Sequence, residues 1–220
     1  IGRISATPSG GLASFAPYIG PVDRWIVLLT YDSTDGSVLN FYDDSYVVSH
    51  DDTVVLDANA VFSDLVFLDG YLFFYQSNTH LIFNTAPGNP KTFNMSTDRI
   101  AAESVGDNIQ HLTKHRNHIV AFGRSSIEFF YNAANEVGSP LQRQEAYASS
   151  IGIFQPVAGK SRSLTIDDDI YFLGAYNGVF KGLYRIKNFK IEKVSDTLMD
   201  KKLSTIVESG NVKLNPYIVN

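Results

Sequence analysis

Five histidines, His50, His80, His111, His115 and His118, are the first candidates for proton transfer or metal binding. His111 and His115 stand four apart, which on a helix would place two imidazoles on one face, as a zinc site requires. The pair leads into an apolar strand and lacks the intervening Glu of a zinc hydrolase, so both are read as polar positions on an approach strand and no metal is expected. The chain has no cysteine, which removes thiolate ligands, thiol nucleophiles and disulfides together. Gly2, Gly10, Gly11, Gly20 and Gly36 do not assemble a Lys-containing phosphate loop, so no nucleotide and no other cofactor is expected.

Carboxylates offer a second kind of chemistry. Asp43-Asp44, Asp51-Asp52 and Asp167-Asp168-Asp169 could in principle hold Ca²⁺ or act as an acid and base pair. Each lies beside an apolar run, where Asp favours turns by accepting hydrogen bonds from nearby backbone amides. The Asp box of sialidase-like propellers is met only at Ser33 and Asp35: Gly36 comes one position early, and Leu39 and Asn40 stand where Thr and an aromatic belong. A basic run, Lys181, Arg185, Lys187, Lys190, Lys193, Lys201 and Lys202, interleaved with Tyr184 and Phe189, could touch phosphates, but Glu192, Asp196 and Asp200 offset it. Lys on strand edges also discourages unwanted pairing. No catalytic residue is assigned, and the chain is read as a non-enzyme.

What remains is the scaffold. The 220 residues are 44% hydrophobic, with 15 Phe and 12 Tyr against two Met, a usage suited to pleated, half-buried surfaces. No apolar stretch reaches the length of a bilayer span, so no membrane insertion is expected. The chain opens at Ile1, without an initiator Met, as an excised or processed segment would. Residues 1–150 carry net −8 and residues 151–220 net +3, an asymmetry that either ordinary solvated surface or an oriented charged contact could produce.

Four apolar hairpins recur. They begin at Trp25, Tyr71, His118 and Ile170, turn at Asp32–Gly36, Ser77–Thr79, Gly123–Ser126 and Tyr176–Gly178, and return through strands such as Ile127–Phe130 and Leu183–Ile186. Their starts are 46, 47 and 52 residues apart, near the period of a propeller blade. A β-sandwich also has frequent turns, but three similar intervals favour the repeat. The expected fold is therefore all-β: a β-propeller-like repeat of four-stranded blades, about four in this chain, with one or two short helices. The approximate blades are 20–65, 66–110, 111–160 and 161–220 of one propeller-type domain or fragment, an incomplete ring unless more chain or a partner closes it. Helical turns are expected at Ser96–Glu103 and after Ser195, where Leu198, Met199, Leu203, Ile206 and Val207 would pack on the sheets.

Within this framework HRNHIVAFGRSSIEFFYNAAN (residues 115–135), SPLQR (139–143), IGIFQP (151–156), DDDIYFLG (167–174) and LYRIKNFKIEKVS (183–195) follow in order. Together these resemble the packaged DNA stabilisation proteins, the tail accessory factors of short-tailed bacteriophages. The resemblance spans about 107–203, fades over 1–60, and departs at Phe154 and in a longer return loop at Ala175–Lys181.

The resemblance implies a non-catalytic virion structural protein of the tail, assembled in the host cytoplasm as a homo-oligomeric, hexameric ring. Such a ring forms part of the hub or nozzle below the portal and retains packaged DNA. Its partners would be portal or adaptor proteins above, a tail needle or distal tail proteins below, and packaged DNA in the channel. Ile119, Val120, Phe122, Ile127, Phe129 and Phe130 are read as core, with Gly123 and Gly174 relieving tight strand ends. Arg124, Glu128, Gln142 and Arg143 are the candidates for blade junctions or subunit contacts. The rival reading is a carbohydrate-binding or glycoside-hydrolysing propeller for host recognition, which would gather exposed aromatics and carboxylates in one cleft; a generic intracellular scaffold propeller would differ from the tail reading only in its partners.

Overall fold

Short apolar runs bounded by turn-forming residues build most of the elements here, and those of Tyr71–Gln76 and His118–Phe122 are buried along nearly their whole length, on both faces. The computed structural model describes residues 14–21, 23–32, 36–43, 53–57, 60–103, 106–155 and 163–208. Ser33, Asp35, Asp44, His50, Asp51, Asp52 and Pro156 of the sequence reading, with Gly2, Gly10 and Gly11, lie outside the described residues.

The first sheet orders β1 (Ser14–Ile19), β2 (Arg24–Asp32), β3 (Gly36–Asp43) and β4 (Thr53–Asp57) side by side, all antiparallel. The second repeats the arrangement with β5 (Phe62–Leu68), β6 (Tyr71–Gln76), β7 (Leu81–Asn84) and β8 (Arg99–Ala101). A third holds β9 (His111–His115), β10 (His118–Phe122), β11 (Ile127–Asn132) and β12 (Leu141–Arg143). In the fourth, β13 (Gly152–Ile153) and β14 (Leu164–Ile166) share one edge of β15 (Asp169–Tyr176), followed by β16 (Val179–Lys187) and β17 (Lys190–Lys193). Each expected hairpin is the central pair of its sheet: β2–β3, β6–β7, β10–β11 and β15–β16.

The turns are fixed by their residues. Asp167-Asp168, Asn177-Gly178 and Asn188-Phe189 hold two successive positive φ angles each, the geometry of two-residue hairpins that matches strand twist. The Ala175–Lys181 segment is accordingly no longer loop: β15 runs to Tyr176, and Asn177-Gly178 alone turns the chain.

The chain divides into two compact units, residues 1–101 with 132–141, and residues 102–131 with 142–220. In the first, Ala16, Tyr18, Val27, Leu29, Leu39 and Phe41 of one sheet pack on Phe62, Leu65, Leu72, Phe74 and Phe83 of the next. Edge-to-face pairs such as Phe62–Phe74, at 5.4 Å, add to the area buried. In the second, Val120, Phe122, Ile127 and Phe129 face Ile170, Phe172 and Ile186. Ile119, Val120, Phe122, Ile127, Phe129 and Phe130 are all fully buried.

Three local expectations change. Ser96–Glu103 is not helical: Asp98 accepts from the Asn94 amide at 2.7 Å and Asn94 Oδ1 from the Ser96 amide at 3.0 Å, closing a turn that delivers Ile100 to pair with Ile82. Gly123 and Gly174 serve close approach instead of strand-end relief, since a Cβ would stand 2.4 Å from the Asp107 carboxylate or 2.3 Å from the Tyr184 ring.

The second expected helix is real. It is α1 (Thr197–Glu208), started by Asp196, whose Oδ1 accepts from the Met199 amide at 2.7 Å. Only part of its apolar face is covered: Val207 is buried, while Leu198, Met199 and Ile206 are exposed. Among the described residues no helix is long and apolar enough to cross a membrane.

Candidate functional site

The second unit contains all four residues singled out for junctions. Arg124 lies in the β10–β11 turn, closed by the Gly123 amide donating to the Ser126 carbonyl at 2.8 Å. That turn is held from two directions. Asp107, from the segment before β9, accepts from the Ser125 amide and from the Ser126 hydroxyl, both at 2.6 Å. From the fourth sheet, the Asn177 amide donates to Ser125 Oγ at 3.0 Å, and Ser125 Oγ donates to Asn177 Oδ1 at 3.0 Å.

The same turn also accepts β13. The Ile153 amide donates to the Gly123 carbonyl at 2.9 Å, and Gly152 passes so close that a Cβ would meet the Arg124 carbonyl carbon at 2.3 Å. The Arg124 side chain itself is exposed and reaches along the β15–β16 turn, with Nη2 3.3 Å from where a Cβ on Gly178 would stand. Arg124 thus sits where the third and fourth sheets touch, and the bonds that join them come from its neighbours.

Glu128 and Arg143 are brought together. Glu128 is buried in the third sheet, and Arg143 on β12 reaches it at 3.2 Å while its Nε donates to Glu145 at 2.7 Å. The hydrogen bond to Glu145, then that to Glu128, holds the guanidinium pKa above its ordinary value. Gln142 is exposed and separate from this pair, accepting from the Tyr131 hydroxyl at 2.8 Å.

The histidines follow strand geometry. On β9 a spacing of four residues separates His111 and His115 by about 13 Å, too far to share one ion. His111 is buried, bonded to Ser163 Oγ at 2.9 Å and stacked on Phe122; His115 is buried lower in the same sheet. Among the described residues no group of three or more His, Cys, Asp or Glu could hold a metal ion.

The basic run is partly neutralised in place. Arg185 binds Glu192 at 2.9 Å and lies 3.6 Å from Asp169, and Lys193 binds Asp200 at 2.6 Å. Arg185 draws the Glu192 pKa down, as Lys193 does that of Asp200. Lys187, Lys190, Lys201 and Lys202 remain exposed. Ser125 and Asn177 of this junction lie in two of the expected turns, but nothing in the sequence says that these turns bond each other, and Asp107 and Gly152 are not singled out for it.

No curated protein matches the chain. The family model described as bacteriophage P22 Gp10, beta-propeller, matches residues 25–216, so the likeness reaches back beyond the motif-bearing stretch 107–203 to β2, with β1 outside the match. Four successive antiparallel sheets, two of them locked turn to turn, and a family match over most of the chain lead to one assignment: this chain belongs to the bacteriophage P22 Gp10 β-propeller family of phage DNA-stabilisation proteins.

Proposed function

We propose that the chain is a non-catalytic structural subunit of a bacteriophage tail, forming part of the hub or nozzle below the portal and helping to retain packaged DNA. The observation that carries this reading is the family match over residues 25–216. The four sheets act as consecutive blades, approximately 20–65, 66–110, 111–160 and 161–220, of one propeller-type domain. Arg124, Glu128, Gln142 and Arg143 stiffen the third blade and its junction with the fourth.

The subunit works in the virion, as a homo-oligomeric and hexameric ring assembled in the host cytoplasm. Portal or adaptor proteins dock above it and a tail needle or distal tail proteins below, with packaged DNA in the channel. A supporting feature is the outward face of the first sheet, where Phe15 is 72% and Ile19 57% exposed, beside exposed Pro17, Ile26 and Val55. Apolar surface of this kind is suited to burial in an assembly.

Imaging of the assembled particle, with native mass spectrometry of the isolated protein, tests the reading. A ring of this chain beneath the portal is the expected result. A protein that stays monomeric and is absent from the tail would overturn it.

A further inference from the structure

We propose that His115, His118 and Phe189 form a pH-sensitive clasp that holds the β16–β17 turn onto the β9–β10 hairpin when both imidazoles are neutral and releases it on acidification. The clasp lies wholly within the second unit and does not depend on the tail assignment.

Its parts come from two sheets. His115 and His118 face each other on the last rung of the β9–β10 hairpin, and both are buried, at 1% and 9% exposure. Neither ring nitrogen of His115 has a hydrogen-bond partner of ordinary geometry, whereas His118 Nδ1 is 2.9 Å from Asn117 Oδ1. Against the two imidazoles stands Phe189, with ring centroids 5.0 Å from His115 and 4.6 Å from His118. Phe189 also stacks on Tyr147 at 4.7 Å and meets Phe129 at 5.9 Å. Beside it, Asn188 Oδ1 accepts a hydrogen bond from the Arg116 guanidinium, tying the tips of the two hairpins.

Phe189 has φ 65. For a bulky side chain this left-handed conformation is strained and persists only where surroundings impose it. The turn pairs Lys187 with Lys190 and therefore must keep this geometry, and the aromatic cage is what supports it. A proton on either imidazole would place a charge among Phe129, Tyr147 and Phe189, beside a second imidazole.

The charged and titratable groups around the pair pull in both directions. Burial and then the Arg116 charge oppose protonation of His115, while the Asp168 backbone, within reach of the ring but outside ordinary hydrogen-bond geometry, and then the Asp169 and Asp168 carboxylates favour it, the first two prevailing. For His118, burial and then His115 oppose the charge. Tyr131 and Tyr147 complete the surroundings of His118, with centroids at 6.2 and 6.4 Å. A depressed folded pKa means that the unfolded or opened turn binds more protons, so the clasp is intact above about pH 6.5 and weakens below it.

Amide hydrogen exchange of the full chain at Lys190–Lys193, corrected for intrinsic rates, tests this between about pH 7.5 and 5. Protection should fall by up to about tenfold per pH unit for each imidazole as pH drops through the window between the unfolded and folded values. In His115→Phe/His118→Phe the profile should be flat. Should that variant not fold, Phe189→Gly relieves the φ angle and opens the cage, so its imidazoles should titrate near ordinary values by NMR and its exchange should lose the pH dependence. Wild-type imidazoles titrating at ordinary midpoints, or an unchanged pH profile in either folded variant, would overturn the clasp.

Discussion

Gly152 passes against the backbone of Arg124 so closely that a side-chain carbon on it would stand 2.3 Å from the Arg124 carbonyl carbon. The contact is backbone to backbone, with the Gly123 carbonyl and Ser125 amide also within 2.4 Å of that point, so no flexible side chain can yield. Gly152→Ala should therefore push β13 away from the turn and break the Ile153 to Gly123 hydrogen bond. A loss of about 2–4 kcal/mol in denaturant midpoint analysis is expected, against well under 1 kcal/mol for Gly→Ala at an unconstrained exposed turn. An unaffected midpoint would mean that β13 is not seated on the turn.

Asp107 supports the same turn from the other side. Asp107→Asn keeps one acceptor oxygen but loses the charge, whereas Asp107→Ala loses both bonds to Ser125 and Ser126. Because the residue is partly buried, the alanine variant should cost about 1–3 kcal/mol and the asparagine variant roughly half of that. Ser125→Ala, which also removes the bonds to Asn177, should be less than additive with Asp107→Ala in a double-mutant cycle, since both act on one turn.

In Arg143→Ala, the buried Glu128 loses its guanidinium partner. Removing one member of a buried pair costs about 3–5 kcal/mol when the remaining charge is uncompensated, and less where other partners persist. Arg143→Ala should thus destabilise more than Glu145→Ala, because Glu145 is largely exposed and its bond to Arg143 is screened. Equal effects on the thermal midpoint would contradict the asymmetry.

The hairpins were legible because their turns use residues with a physical reason to be there. Asn177-Gly178 in the β15–β16 turn and Asn78 in the β6–β7 turn accept positive φ cheaply, and each turn is flanked by aromatic strands. The Asp196 cap likewise marks α1, since a carboxylate before an apolar run can bond the third following amide. At Ser96–Glu103 the same signal misled, because Asn94 lies just outside the window and captures the Ser96 amide while its own amide goes to Asp98. The junction was half legible. Arg124, Glu128 and Arg143 stand out as polar residues amid apolar strands, but Asp107 bonds a turn 18 residues away and Asn177 one 52 away, separations that spacing rules do not reach. Phe189 stands in the sequence only as an aromatic amid the basic run, and nothing local points to its place in a turn, because an aromatic at φ 65 runs against every local preference and exists only through its cage.

Acid should act on the second unit in two steps. The first is the loosening of the β16–β17 turn below about pH 6.5 described above. The second concerns Asp200, whose carboxyl pKa is depressed by Lys193 first and by the Ser195 hydroxyl next. A carboxylate with a lowered folded pKa contributes stability above its unfolded value and loses it as pH falls through the folded one, so α1 should hold to about pH 4 and detach below. Far-ultraviolet circular dichroism should place helix loss below the exchange transition, and Asp200→Asn should abolish only the lower step. Coincident transitions would show that turn and helix open together.

Assembly should depend on the outward face of the first sheet, where Phe15 and Ile19 project from the edge strand and Ile26 from its neighbour. These side chains contribute little to the isolated fold, since the buried face of β1 is carried by Ala16 and Tyr18. Phe15→Ser with Ile19→Ser should change the unfolding free energy by less than about 0.5 kcal/mol per site. If the face is buried in an assembly, each large apolar residue removed forfeits about 1.5–3 kcal/mol of burial, enough together to lower association by two or more orders of magnitude. Native mass spectrometry of the doubly substituted chain should then show monomer where the unsubstituted protein oligomerises. Undiminished oligomers would move the contact elsewhere, and the exposed Leu198, Met199 and Ile206 of α1 would be substituted next.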